Sequence, residues 1–382
     1  MSIPAHQLRS QHVSVETLSA PTTRPYLTSL LSAVVNPIMA LAIAGILGAL
    51  LVMALGENPF EVYWLLISGS LAGIPNILVT LQMMTPLLFT GLAVAISFRA
   101  GLANIGAEGQ MLVGALCAGI VGFAVDLPAL LHVPLCIAAA FAGGMAWAAV
   151  PAFLRVKFGV NELVVCLMMN PIALLLTGYF ATHVLKAPGP TNKLPDVLPS
   201  AKLSTFSFYS QVNTGLILAL VLCVVLAIIN ARTVRGFEWK IIGLSPKFAY
   251  YGGIDVPKRA LNVFLLSGGV AGLAGAEQVM GQFGAYYDNF SPGYGFDGIA
   301  VAMLAQFHPI GVIFSAFLFG ALNSGSGVLQ MMTGLTKHLV QVLQFIVVLV
   351  LAAKISWDWL THFKKPSEIT MRPSRSSTTS ET

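Results

Sequence analysis

Asn104-Ile105-Gly106-Ala107-Glu108-Gly109-Gln110 puts a carboxylate, two amides and two glycines between the apolar runs 86–98 and 111–125. Polar and ionisable groups at membrane depth cost free energy, and they face a bundle interior or a water-filled path. The reading of this stretch therefore depends on what surrounds it. The chain has 382 residues, of which 56% are hydrophobic and 9% charged, whereas soluble domains carry about 25% charged residues. Repeated long apolar runs and so few charges describe an all-α, polytopic membrane protein. A sequence pI of about 9.0 does not point to nucleic acid, because the 20 Lys and Arg lie mostly in short segments between apolar runs, where they set orientation.

Working outward from this stretch, ten membrane segments can be drawn: 37–55, 77–98, 110–125, 134–153, 163–181, 214–230, 260–280, a short one at 294–306, 309–329 and 338–353. Residues 57–74 read as an extramembrane amphipathic stretch with Trp64 near the interface. Residues 183–213 form a polar loop rich in proline and glycine, and 231–259 a basic loop. The domain reading is a tail at 1–35, a membrane domain at 36–355 and a second tail at 356–382. The first tail lacks the apolar core of a signal peptide. With both termini in the cytoplasm, 16 of the 20 Lys and Arg fall inside and only Lys186, Lys193, Lys202 and Lys337 fall outside. The positive-inside rule favours that orientation. Cys117, Cys136, Cys166 and Cys223 all lie in apolar runs without paired spacing, as buried small hydrophobes do.

The two halves of the membrane domain look related. One segment leads into the break at 101–109, and another into Gly293-Tyr294-Gly295-Phe296-Asp297-Gly298-Ile299-Ala300. Each break is rich in glycine, carries one acid and precedes a helix, and the two approaching segments run in opposite directions. That is the pattern of an inverted repeat whose broken helices line a substrate path. Asn104, Glu108, Gln110, Phe296 and Asp297 are accordingly candidates for a translocation path or hinge. If 104–110 is helical, Asn104 and Glu108 share a face. The alternative at this site is a brace, with Glu108 bonded to backbone amides of a neighbouring break.

A second candidate is Gly243-Leu244-Ser245-Pro246-Lys247-Phe248-Ala249-Tyr250-Tyr251-Gly252-Gly253-Ile254. Ser245 can cap a short helix with Pro246 at its first position, and Gly252-Gly253 can end it. Aromatic residues on such a helix suit a docking knob, and equally a connector lying on the membrane. Leu266-Ser267-Gly268-Gly269 mimics the signature tetrapeptide of ATP-binding-cassette ATPases, yet within an apolar segment its small residues fit helix packing. The chain has no Gly-Lys pair, hence no phosphate-cradling P-loop. It also has no H-E-x-x-H, G-x-S-x-G or C-x-x-C motif, which disfavours an enzyme.

Phe98 to Gln110 resembles the hallmark of ABC importer permeases of the branched-chain amino acid/ribose superfamily, and more narrowly their nucleoside and simple-sugar branch. Asn161-Glu162-Leu163-Val164 with Asn170, residues 243–254, Ala271-Gly272-Leu273-Ala274-Gly275 and residues 293–302 are similar to four further blocks in the family's order. The resemblance covers about residues 35–355. It implies a cobalamin-type importer fold and a pair of permease subunits. It also implies a separate cytoplasmic ATPase docking on Gly243, Ser245, Pro246, Tyr250, Tyr251, Gly253 and Ile254, and an extracytoplasmic solute-binding protein. ATP would act on the partner, with no cofactor on this chain, and the location would be a bacterial inner membrane. Met303-Leu304-Ala305-Gln306-Phe307 and Ala103 depart from the common family pattern and bear on substrate detail. An ion-gradient-driven secondary transporter using Glu108 and Asp297 is the alternative.

Overall fold

A computed structural model of the chain describes residues 42–207, 210–333, 340–342 and 344–346. The predicted tails at 1–35 and 356–382, and most of the predicted segment 338–353, lie outside these residues. The described elements are α1 (Ala42–Ala54), α2 (Pro59–Leu71), α3 (Ile74–Arg99), α4 (Ala107–Ala124), α5 (Ala129–Phe158), α6 (Glu162–Tyr179), α7 (Thr214–Arg232), α8 (Val234–Leu244), α9 (Pro246–Tyr251), α10 (Val256–Glu277), α11 (Tyr294–Leu304) and α12 (Pro309–Thr333). Helices α6 and α10 each run on into a wider π turn, at Phe180–Val184 and Gln278–Phe283. Among the described residues seven helices are long and apolar enough to cross a membrane, and the bent pair α1–α2 makes an eighth unit. Helix α11, with 11 residues, is too short to cross alone.

Helix α10 lies at the centre. Some 89% of its apolar stretch is buried, against 28% for α5, α6 and α7. Mean hydropathy runs the other way, lowest in α10 and highest in α7. Lipid demands apolar side chains from the helices that face it, while helices packed on helices need small residues that let backbones close up. Gly268 and Gly272 of α10 supply them. A Cβ at Gly272 would strike the Ala140 carbonyl of α5, and one at Gly268 would strike Ala148. The Leu266-Ser267-Gly268-Gly269 tetrapeptide is thus a packing surface, as its apolar setting indicates.

Three expectations change. Within the expected amphipathic stretch 57–74, residues 59–71 are apolar rather than amphipathic. They form an apolar helix folded back at 118° on α1, and it buries Val62, Leu66, Gly69 and Ser70. Gly69 meets Val328 of α12, and Gly325 of α12 meets the Leu66 backbone. The acids Glu57 and Glu61 and the exposed Trp64 make the stretch look interfacial, whereas its small residues fix its place by close packing. The basic stretch 231–259 is not a loop: it holds α8, α9 and the start of α10. Finally, Asn104 precedes α4 rather than lying in a helix, so it does not share a helical face with Glu108. Glycine-rich sequence before α4 leaves the chain non-helical, with Gly101 at φ 72°.

At the far end of α4 from Ala107, the 185–213 segment runs against the stretch that follows α10. Leu194 N donates to Tyr286 O at 2.9 Å and Val197 N to Gly284 O at 2.9 Å, while Leu198 N reaches Gly122 O of α4 at 2.9 Å. These bonds give backbone groups of an irregular segment partners at the helix ends.

Candidate functional site: two helix breaks joined by Glu108

The predicted polar stretch is a closed hydrogen-bonded knot. Asn104 and Gln110 are fully buried and face each other amide to amide: Asn104 Nδ2 donates to Gln110 Oε1 at 2.8 Å, and Gln110 Nε2 donates to Asn104 Oδ1 at 2.9 Å. Asn104 Oδ1 also accepts Gly106 N at 3.0 Å, an Asx turn that shapes the entry into α4. The second Asn104 amide proton goes to Ser267 Oγ of α10 at 2.8 Å, and that hydroxyl donates to the Ala93 carbonyl of α3 at 2.6 Å. Asn170 of α6 closes the other side, accepting Gly109 N and donating to Ile105 O, both at 3.0 Å. Buried polar groups are tolerated when every member is satisfied, and such networks rigidify what they join. This one ties α3, α4, α6 and α10 together.

Glu108 extends the knot to the second break. Its Oε2 accepts the Gly295 backbone N–H at 2.6 Å, in the first turn of α11. Ser291 stands at the same helix start, where its Oγ accepts Gly293 N at 3.1 Å and Tyr294 N at 3.3 Å. A carboxylate at a helix N-terminus satisfies free amides and meets the positive end of the dipole. The approach is close because position 295 is glycine. A Cβ there would strike the Glu108 backbone, and one at Gly298 would lie 2.5 Å from Thr90 Oγ1. Thr90 of α3 in turn donates to Tyr294 O at 3.0 Å. The two breaks that look alike in sequence therefore meet in space.

Phe296 and Asp297 are placed differently. Phe296 is 40% exposed. Asp297 lines a cavity of about 330 Å³ between α3, α11 and α12, together with Phe290, Tyr294, Asn323, Ser326 and Gln330. His308 is the turn residue that its place before Pro309 suggests, with Nδ1 accepting Ile310 N at 3.3 Å.

The second candidate stretch folds as its local sequence requires. Ser245 Oγ caps α9 by accepting Phe248 N at 3.3 Å, Pro246 is its first residue, and Gly253 leaves it at φ 81°. Tyr250 and Tyr251 are exposed, at 70% and 86%. Ile254 is half-buried, its N–H bonded to Ala249 O, and belongs to the packed side. Gly243, just ahead of α9, lies directly on the end of α3: a Cβ there would strike the Arg99 carbonyl and lie 3.1 Å from Gly101 N. Helix α8 is itself held to the base of α10 by Arg259 Nε and Glu238 Oε2 at 2.9 Å. The exposed helix is thus seated at the foot of the polar knot.

Ser267, Asn170, Ser291 and Thr90 complete the site and were not among the sequence candidates. An amide in mid-helix of an apolar segment was a readable signal for Asn170, since it demands a partner. Ser267 was hidden in a small-residue run.

Residues 76–352 match the family described as branched-chain amino acid transport system / permease component. The chain belongs to this family. It is 36% identical to the guanosine ABC transporter permease protein NupP of Bacillus subtilis over 327 residues, covering 85% of this chain and 94% of that protein. It is 34% identical to the nucleoside ABC transporter permease protein NupB of Lactococcus lactis, covering 77% and 84%. To the glucose ABC transporter permease protein TsgB13 of Haloferax volcanii it is 32% identical, covering 83% and 86%. No solved structure gives a significant match. The chain is a multi-pass permease subunit of an ABC importer, and it contributes a transport path, not a hydrolytic site. Family membership displaces the ion-gradient reading of Glu108 and Asp297.

Proposed function

We propose that this permease moves nucleosides, or solutes built on a related sugar ring, into the cytoplasm of a bacterium across its inner membrane. The solutes in the relatives' names are guanosine, nucleosides and glucose. Guanosine, other nucleosides and glucose share a polyhydroxylated ring, and the guanosine permease is matched over 94% of its length. Both termini lie in the cytoplasm in this reading, which puts α9 there as well. A separate ATPase docks on α9, a second permease subunit completes the path, and an extracytoplasmic binding protein delivers the solute.

The observation that carries the reading is the seating of Gly243 on Arg99 and Gly101. A push on α9 reaches the foot of α3 through backbone contact with no flexible side chain between. From there the Asn104 knot and the Glu108–Gly295 bond lead to α11. The knot is the rigid brace that carries the motion in this account, and Asp297 with Phe296 faces the path.

Replacing Tyr251, which is exposed and whose ring meets that of Tyr250, tests the docking role. Tyr251→Asp should abolish ATPase co-purification and uptake while the thermal unfolding of the permease stays within about 2 °C, as expected for a surface change. Normal co-purification and uptake would refute the assignment. A competition screen of uptake over nucleosides, purine bases and free sugars tests the solute. Nucleosides should compete best, and competition by free sugars alone would overturn the nucleoside reading.

A further inference from the structure

The cavity beside α11 has a donor and acceptor pattern fixed by the fold. Gln344 Nε2 donates to Asn323 Oδ1 at 2.9 Å. That bond occupies the Asn323 carbonyl oxygen, so its NH₂ group is the part presented beside the Asp297 carboxylate, which lines the same cavity. Ser326 Oγ donates its proton to Asn323 O at 2.6 Å, so toward the cavity it too offers lone pairs. The orientation of Asn323 is therefore imposed from behind, and Asp297 is left as an acceptor with unused lone pairs. Gln330 lines the cavity with an amide, while Phe290 and Tyr294 supply apolar wall. No group of three or more His, Cys, Asp or Glu side chains placed to hold a metal occurs among the described residues.

A pocket whose acceptors are a carboxylate and a hydroxyl, walled by aromatic rings, suits a ligand with adjacent O–H donors on a ring with an apolar face. Its volume of about 330 Å³ is at the small end for ligand sites, which suits a sugar ring better than a whole dinucleotide or peptide. From this geometry we infer that the α11 cavity is a transient binding station for the vicinal hydroxyls of the passing solute's sugar ring. Asp297 accepts those protons, and Asn323 and Gln344 act as its positioning residues. The inference rests on the sugar-bearing solute class proposed above. It adds that the permease itself, beyond any delivery protein, reads the sugar.

Uptake of guanosine and of 2′,3′-dideoxyguanosine should be compared in cells carrying the complete transporter, with wild-type permease, Asp297→Asn and Asn323→Ala. The delivery protein is the same in all three, so its own preference cancels when each variant is divided by wild type. Asp297→Asn should lower guanosine uptake about 10-fold, the worth of one charge-assisted hydrogen bond, while dideoxyguanosine uptake changes less than about 2-fold. Asn323→Ala should show the same selective loss, smaller in size, and it serves as the reading if Asp297→Asn fails to reach the membrane. Equal losses for both solutes, or no loss for either, would overturn the inference. If wild type takes up neither nucleoside, the nucleoside reading fails, and the inference that rests on it fails with it.

Discussion

The two glycine-rich breaks look like copies of one device, yet they end in opposite states. In the first, Asn104 and Gln110 are fully enclosed, bonded to each other and, through Asn104, to Ser267 of α10. In the second, Phe296 is partly exposed and Asp297 borders a cavity. The two acids divide accordingly, since Glu108 is committed to the Gly295 amide while Asp297 faces open space. A glycine break with one acid is therefore not a function in itself. What decides is whether a neighbouring helix end arrives to use the acid. Here the first break is bonded to the second through Glu108, while Asp297 of the second borders a cavity.

The sharpest way to break this comparison is at the contact between the two breaks. Gly295→Val places side-chain atoms where the Glu108 backbone already stands. It should abolish recovery of monodisperse permease in detergent, measured by size-exclusion chromatography. Recovery at wild-type yield would mean that the breaks do not touch. Asn104→Leu comes next. It strips Gln110, Ser267 and Gly106 N of their shared partner, and buried groups left unpaired cost about 1–3 kcal/mol each. The thermal midpoint should fall by several degrees and uptake with it, whereas an unchanged midpoint would show that the knot carries no stability. Glu108→Gln has the smallest structural effect. The amide carbonyl can still accept Gly295 N, so only the charge at the α11 N-terminus is lost, worth about 1 kcal/mol. Assembly should survive and uptake should fall. Full uptake would mean the brace needs no charge.

Several local features were legible in the sequence. Ser245, Pro246 and Gly253 specify a six-residue helix because caps act within one turn, and α9 forms where they place it. The eighth segment reads as short and is short. What stayed hidden had a common cause. Residues 57–74 were misjudged because charge at their margins outweighed the small residues that seat α2 on α12, and the partner in that contact lies more than 250 positions away. Helix α8 was missed because basic residues in a stretch between spans read as a loop, while its buried face of Gly236, Trp239 and Ile242 shows only against its neighbours.

For this protein, sequence alone determined that it lives in a membrane, that its helices break at 101–106 and before Tyr294, and which family it belongs to. Apolar runs, glycines and caps are local quantities, and the order of motifs along the chain is linear. Only the tertiary structure decided what the polar stretch does. The partners of Asn104 and Glu108 are Ser267 and Gly295, 163 and 187 positions away. A buried polar group can be recognised as unsatisfied from its own segment, but the group that satisfies it is chosen by which helices pack together.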